Sequence, residues 1–187
     1  MMHLLRKRNN ASTSSRRKEL LEREGIDFII DASSITEYLD SSLEIEERLK
    51  KLAYDKGISI HEKYPDDVVI SADTTIYHNG KIIGKAHSAH EAREILESLS
   101  SDTHSVFTSV AVFYKDQVCT FVDETKVTFK NISDMIDDYL SIDEWQGKAG
   151  AYAIQGVAGK FIEEVQGDID NVIGLPVKHV IEVIETL

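Results

Sequence analysis

One cysteine in 187 residues is the first constraint. Cys119 has no partner in the chain for a disulfide, which fits a reducing cytosol and a cytoplasmic protein. Its setting, Val118-Cys119-Thr120-Phe121, alternates as a packed strand position rather than as a nucleophile's. No apolar run approaches the ~20 residues of a membrane-spanning helix. Arg6, Lys7 and Arg8 are not followed by the apolar core of a secretion signal, so none is expected. The chain also has no G-x-x-x-x-G-K-[ST], no G-x-G-x-x-G after a strand, no H-E-x-x-H and no cysteine pair. Nor does spacing support a Ser-His-Asp arrangement. With no repeat, low-complexity linker or dividing charge tract, residues 1–187 are expected to form one domain.

Charge is unevenly spread. The formal net charge is −12, yet residues 1–18 hold six cations (Arg6, Lys7, Arg8, Arg16, Arg17, Lys18) and no acid. The rest carries 15 cations against 33 acids. An acidic body repels duplex phosphates over most of its surface, which argues against stable nucleic-acid binding. A basic cluster in such a body suits a small polyanion.

That cluster coincides with a predicted helix start. Asn10-Ala11-Ser12-Thr13-Ser14-Ser15 is a hydroxyl-rich loop leading into Arg16-Arg17-Lys18-Glu19-Leu20-Leu21, with Ser14 or Ser15 as the N-cap and Gly25 as the stop. Three cations in the first turn face the positive end of the helix dipole, at ~0.3–1 kcal/mol each. A bound anion reverses that penalty, and free backbone N–H groups with Ser12, Ser14, Arg16 and Arg17 would hold a phosphate there.

Val68-Val69-Ile70-Ser71-Ala72-Asp73 reads as a strand buried on both faces that ends in a carboxylate, which needs a reason. The chain reverses at Asn79-Gly80, the composition of a two-residue type I′ hairpin. Counting across it pairs His78 with Lys81, Tyr77 with Ile82 and Thr74 with Lys85, so Lys85 neighbours Asp73 diagonally. From these residues alone, an ion pair at a sheet end and a catalytic pair are equal readings.

Elsewhere, Phe28-Ile29-Ile30 reads as a short strand, and Ile45, Leu49, Leu52 and Ala53 give a helix ending at Lys56-Gly57, with Lys56 an ordinary C-terminal cation. Ser88-Ala89-His90-Glu91 is a capping box before a helix with Ala92, Ile95, Leu96 and Leu99 on one face. Thr103 to Phe129 reads as two strands turning at Lys115-Asp116-Gln117, and a short helix covers about Ser133 to Ile142. Four of the ten glycines then fall within residues 147–159. Such density marks backbone that turns sharply or lets a ligand approach. Asn171 to Pro176 turns into a closing helix. The remaining chemistry rests on Asp73, Glu37 and scattered cations, which suits Mg²⁺-assisted phosphate chemistry.

Taken together, these blocks resemble the Maf family of nucleoside triphosphate pyrophosphatases. Asn10 to Leu21 resembles its A-S-x-S-P-R-R-x-E-L-L opening, Ala72-Asp73-Thr74 its A-D-T, and Gly84-Lys85 its G-K. Leu99-Ser100, His104, Val106 and Thr108 follow L-S-G-x-x-H-x-V-x-T. Lys148 to Gly156 is similar to K-A-G-A-Y-x-I-Q-G, and Asn171 to Pro176 to N-V-x-G-L-P. The chain departs at Ser15 for proline, Thr36 for aspartate, Ala86 for proline and Ser101 for glycine.

The resemblance implies an α/β fold: a central mixed β-sheet flanked by helices, in two lobes with a substrate cleft, usually as a homodimer. It implies hydrolysis of dTTP or UTP between the α and β phosphates, with Mg²⁺ or Mn²⁺. Asp73 takes the family's general-base role, with Lys85 beside it. Arg16, Thr74 and Gln155 mark the dTTP/UTP branch; Ser12, Ser14, Arg17, Lys56 and Lys148 join them in substrate binding, and Glu37 is the metal ligand. The alternatives are the same chemistry on another or a modified purine triphosphate, and a non-catalytic regulator of cell division or septum formation.

Overall fold

A computed structural model of the chain describes residues 8–10, 14–31 and 42–187. The described elements in chain order begin with β1 (Arg8–Asn10), α1 (Ser15–Arg23), β2 (Phe28–Ile30), α2 (Ile45–His61), β3 (Val69–His78) and β4 (Lys81–Ile83). Then come α3 (Ala89–Leu99), β5 (Thr103–Tyr114), β6 (Gln117–Phe129), α4 (Ile136–Ser141), β7 (Ile162–Gln166), α5 (Ile169–Ile173) and α6 (Val177–Thr186). The strands are hydrogen-bonded in the order β2-β1-β3-β5-β6-β7, with β4 on β3. Parallel and antiparallel pairs both occur, so the mixed α/β class expected from the sequence is the one observed.

Two compact units divide the chain, one of Met1–Asp73, Thr108–Asp123 and Gly174–Leu187, the other of Thr74–Phe107 and Glu124–Ile173. In the first, β1 pairs in parallel with β2 (Arg8↔Phe28 to Asn10↔Ile30) and with β3 (Asn9↔Val69, Asn10↔Ile70). Its core includes Ala53, Ile60, Val69, Ala111 and Phe113. Helix α1 ends as its glycine forecasts: Gly25, at φ +67°, donates to the Glu22 carbonyl, and Ile26 N–H reaches back to Leu21. That pair of bonds satisfies carbonyls the last turn would otherwise leave open.

Helix α2 corrects the sequence reading. It does not stop at Lys56-Gly57 but runs to His61. Gly57 is a packing glycine, because an added Cβ would lie 2.2 Å from Phe113 Cε2 and 2.6 Å from the Ser71 hydroxyl. With no side chain there, the helix settles directly on β3 and β5. Ser71 confirms the closeness by donating to the Ala53 carbonyl at 2.5 Å.

In the second unit the core gathers Ile76, Leu96, Leu99, Val106, Val127, Phe129, Ile136, Tyr139, Ala158 and Phe161, among others. The β3–β4 hairpin turns at Asn79 (φ 49°) and Gly80 (φ 78°), with Ile76↔Ile83, Tyr77↔Ile82 and His78↔Lys81 in register as counted. Ser88 caps α3 by accepting from Glu91 N–H at 3.1 Å, while the Glu91 carboxylate accepts from His87 N–H. Two elements of this unit escaped the sequence reading, and in the first unit so did β1, which takes in Asn10, expected to be loop. Strand β7 (Ile-Glu-Glu-Val-Gln) has little apolar content because it is exposed along most of its length. Helix α5 has five residues, too few to show a period.

Candidate active site

Asp73 sits on β3 where the fully buried positions 69–72 give way to partly exposed ones. Its carboxylate is met by Lys56, with Nζ 2.6 Å from Oδ1 and side-chain exposures of 13% and 22%. Seventeen residues separate the two in sequence. Their meeting follows from the glycine beside Lys56, which brings that turn of α2 against the strand. Ser109, fully buried on β5, points its hydroxyl at the Asp73 carbonyl at 3.4 Å. The strand does not end at the carboxylate, as the sequence suggested, but runs on to His78, so Asp73 lies mid-strand; a partly desolvated ion pair there holds its charges in a fixed place.

At α1, Ser14 occupies the N-cap position with extended backbone, and its side chain makes no capping hydrogen bond. The first turn contains no acid. Arg16 and Arg17 are both half-buried, and Arg17 Nε donates to the Gly174 carbonyl at 2.7 Å. That bond ties the Ser-Arg-Arg block to the glycine of the Asn171–Pro176 block, 157 residues on.

The second unit joins two further blocks. Lys85 makes an antiparallel bridge with Ala149, and Gly150 N–H donates to the Gly84 carbonyl at 3.0 Å. Gly150 lies at φ +68° and a Cβ there would meet Ile76 Cδ1 at 2.2 Å, so only glycine fits. Two residues on, Tyr152 is anchored from below: its hydroxyl is 2.8 Å from His104 Nε2, and Phe129 packs edge-on to both rings. Burial pulls the His104 imidazole down to about 4, with nearby His78 acting in the same sense and Asp102 opposing. Burial also keeps the Tyr152 phenol protonated far above the usual range.

Comparison with known proteins fixes what this assembly of blocks is. The family model described as "Maf-like protein" matches residues 11–187. The chain belongs to the Maf-like family. A "dTTP/UTP pyrophosphatase" of Pyrococcus abyssi is 43% identical over 94% of this chain and 93% of its own. Proteins of the same description from Pyrococcus furiosus (39%; 94% and 92% of the two chains) and Bacillus cereus (38%; 91% and 90%) are also similar.

The Maf-like residues singled out from the sequence divide between the two units. Ser14, Arg16, Arg17, Lys56 and Asp73 belong to the first; Thr74, Lys85, Lys148 and Gln155 belong to the second. Ser12 and Glu37 lie outside the described residues. Within the first unit the structure joins Lys56 to Asp73, a contact that hairpin counting, which concerned only the neighbourhood of Lys85, could not reveal. Lys85 is exposed and follows the last paired residue of β4. Thr74 is half-buried on β3, and Gln155 is exposed in the turn before the 3₁₀ segment Val157–Phe161. The Lys148 ammonium donates to the Glu144 carbonyl.

Sequence reasoning misread Gly57 as a helix end and overlooked Ser109 and Glu144. For Gly57 a signal was present: Ile60 continues the helical spacing from Ala53, so the periodicity does not stop where the glycine stands. Ser109 and Glu144 carry none, since each acts through a fold contact.

Proposed function

We propose that this chain hydrolyses UTP and dTTP between the α and β phosphates, releasing the nucleoside monophosphate and pyrophosphate. The observation that carries the reading is the partly buried Lys56–Asp73 pair midway along β3, supported by the names of the relatives. Asp73 is the general base: it takes a proton from a water whose oxygen forms the new bond to the α phosphorus. The bond from the α phosphorus to its bridging oxygen breaks, and pyrophosphate leaves with the electron pair. Lys56, Lys85, Arg16, Arg17 and the N–H groups at the start of α1 are the triphosphate's partners and absorb charge developing on the leaving group. Ser12, Ser14, Thr74 and Lys148 contribute further substrate contacts.

Gln155 reads the base in this proposal. Uracil and thymine present an acceptor–donor–acceptor edge that a side-chain amide complements, whereas cytosine leaves polar groups unpaired at about 1–3 kcal/mol. No group of three or more His, Cys, Asp or Glu able to hold a metal occurs among the described residues. Magnesium or manganese carried on a triphosphate needs only one or two carboxylates beside phosphate oxygens and water, and the half-buried Asp73 carboxylate is an oxygen donor suited to such a hard cation. Glu37 is the proposed protein ligand; the ion, when bound, neutralises phosphate charge. Among the described residues no helix is long and apolar enough to cross a membrane. We extend the reading to a cytoplasmic homodimer, for which light scattering on the purified chain is the test.

Pyrophosphate release measured across UTP, dTTP, CTP, GTP and a modified guanosine triphosphate tests the proposal. UTP and dTTP are expected to lead. Equal rates on UTP and GTP would end the pyrimidine reading.

A further inference from the structure

We propose that Glu144 is a positioning residue for substrate choice: its half-buried carboxylate fixes the Gln155–Gly156–Val157 turn and so sets the discrimination of uracil from cytosine. This rests on the reading above that Gln155 contacts the base.

The argument starts from Gly156. Its backbone, at φ −100° and ψ −158°, is open to any residue, so conformation does not call for glycine there. Space does. A Cβ at this position would lie 1.6 Å from Glu144 Oε1 and 2.4 Å from its Cδ. The acid side chain lies against the bare backbone next to Gln155, and Glu144 Oε2 accepts a hydrogen bond from Val157 N–H at 3.1 Å. Thus one carboxylate holds the turn on the far side of Gln155, while Gly156 N–H closes it on the near side by donating to the Ala153 carbonyl at 3.1 Å. The Glu144 backbone is itself fixed, since the Lys148 ammonium donates to its carbonyl.

The other oxygen makes the case for function. Glu144 Oε1 is buried with no hydrogen-bond partner among the described residues. Burying an unpartnered carboxylate oxygen is unfavourable. A fold that only needed a filler beside Gly156 would do better with an apolar side chain, or with alanine at 156 and no acid. Departures of this kind are expected where a site demands a fixed geometry. Gln155, exposed at the apex, depends on that turn for the direction of its amide.

Steady-state kinetics with UTP and CTP test this, with thermal melting as a check on folding. Glu144→Ala is expected to raise KM for UTP about tenfold with kcat within about threefold, and to lower the UTP:CTP ratio of kcat/KM about tenfold. Glu144→Gln, which keeps an acceptor for Val157 N–H, restores most of both. Gly156→Ala inserts a methyl where the carboxylate lies and reproduces the Glu144→Ala pattern with the acid still in the chain. If Glu144→Ala does not fold, Gly156→Ala supplies the reading. The double variant is no worse than Glu144→Ala, because the two act through one contact.

An unchanged ratio and KM in a folded Glu144→Ala protein overturns the proposal, as does a loss confined to kcat, or additivity of the two changes. Gln155→Ala separates the layers. If it lowers the ratio and Glu144→Ala does not, only the role of Glu144 is lost. If Gln155→Ala leaves the ratio unchanged, the base-reading role falls and the role of Glu144 falls with it.

Discussion

Gly57→Ala places the packing argument against helix propensity, and the two give opposite signs. In an exposed helix interior, replacing glycine with alanine gains about 1 kcal/mol. At residue 57 the new methyl would stand 2.2 Å from Phe113 Cε2 and 2.6 Å from the Ser71 hydroxyl. Ordinary carbon–carbon contact begins near 3.5 Å, so α2 or the Phe113 ring must yield by about 1.3 Å. Overpacking of this kind costs about 1–3 kcal/mol. Withdrawal of the helix also stretches the 2.5 Å bond from Ser71 to the Ala53 carbonyl, a further ~1 kcal/mol. After subtracting the propensity gain, the variant is expected to be destabilised by about 1–3 kcal/mol. In a chain of this size each kcal/mol lowers Tm by about 2–4 °C. Catalysis suffers separately, because Lys56 is the adjacent residue and its 2.6 Å contact with Asp73 is displaced. A shift on the order of 1 Å in a catalytic contact lowers turnover ~10- to 10²-fold. Urea unfolding and UTP turnover on the same preparation measure both effects. A raised melting temperature with unchanged kcat would refute the reasoning, since it would mean that α2 does not rest on β3 and β5 as described.

Three further outcomes are expected. Asp73→Asn keeps the shape and lowers UTP turnover by ~10²-fold or more; full activity would leave the chain without its proposed base, and a biological effect surviving the substitution would favour the regulator reading. Ser101→Gly relieves a serine held at φ 59°, where the family pattern has glycine, and should stabilise by about 0.5–1 kcal/mol in urea titrations. The buried His104 makes stability depend on acid. Its pKa falls from 6.5 to about 4 on folding, so the unfolded chain binds the extra proton between those values. Stability is therefore complete above pH 6.5 and lost as pH drops toward 4, by about 2 kcal/mol at pH 5. His104→Gln removes that dependence, which paired urea midpoints at pH 7 and pH 5 would reveal; an unaltered acid limb would count against it.

Local chemistry was written plainly in the chain. The Asn79-Gly80 hairpin and its register, the Ser88 cap, the Gly25 stop and the strand through Ile70 all depend on neighbours a few residues apart. The mixed α/β class and the order of the family blocks were legible for the same reason. Strand β7 and helix α5 were not, since a mostly exposed strand and a five-residue helix carry too little pattern. The site was legible as residue types: an acid after a buried apolar run, cations at a helix start, a glutamine among glycines.

Which of those residues meet was decided only by the folded chain. Counting along the hairpin placed Lys85 in the neighbourhood of Asp73; that Lys56 pairs with the aspartate was decided by packing, because a bare Gly57 lets a helix seventeen residues upstream lie flat on the strand. The same logic put the Glu144 carboxylate over Gly156. Sequence determines each of these through shape, by leaving out a side chain at one place so that another, remote in the chain, can occupy the space.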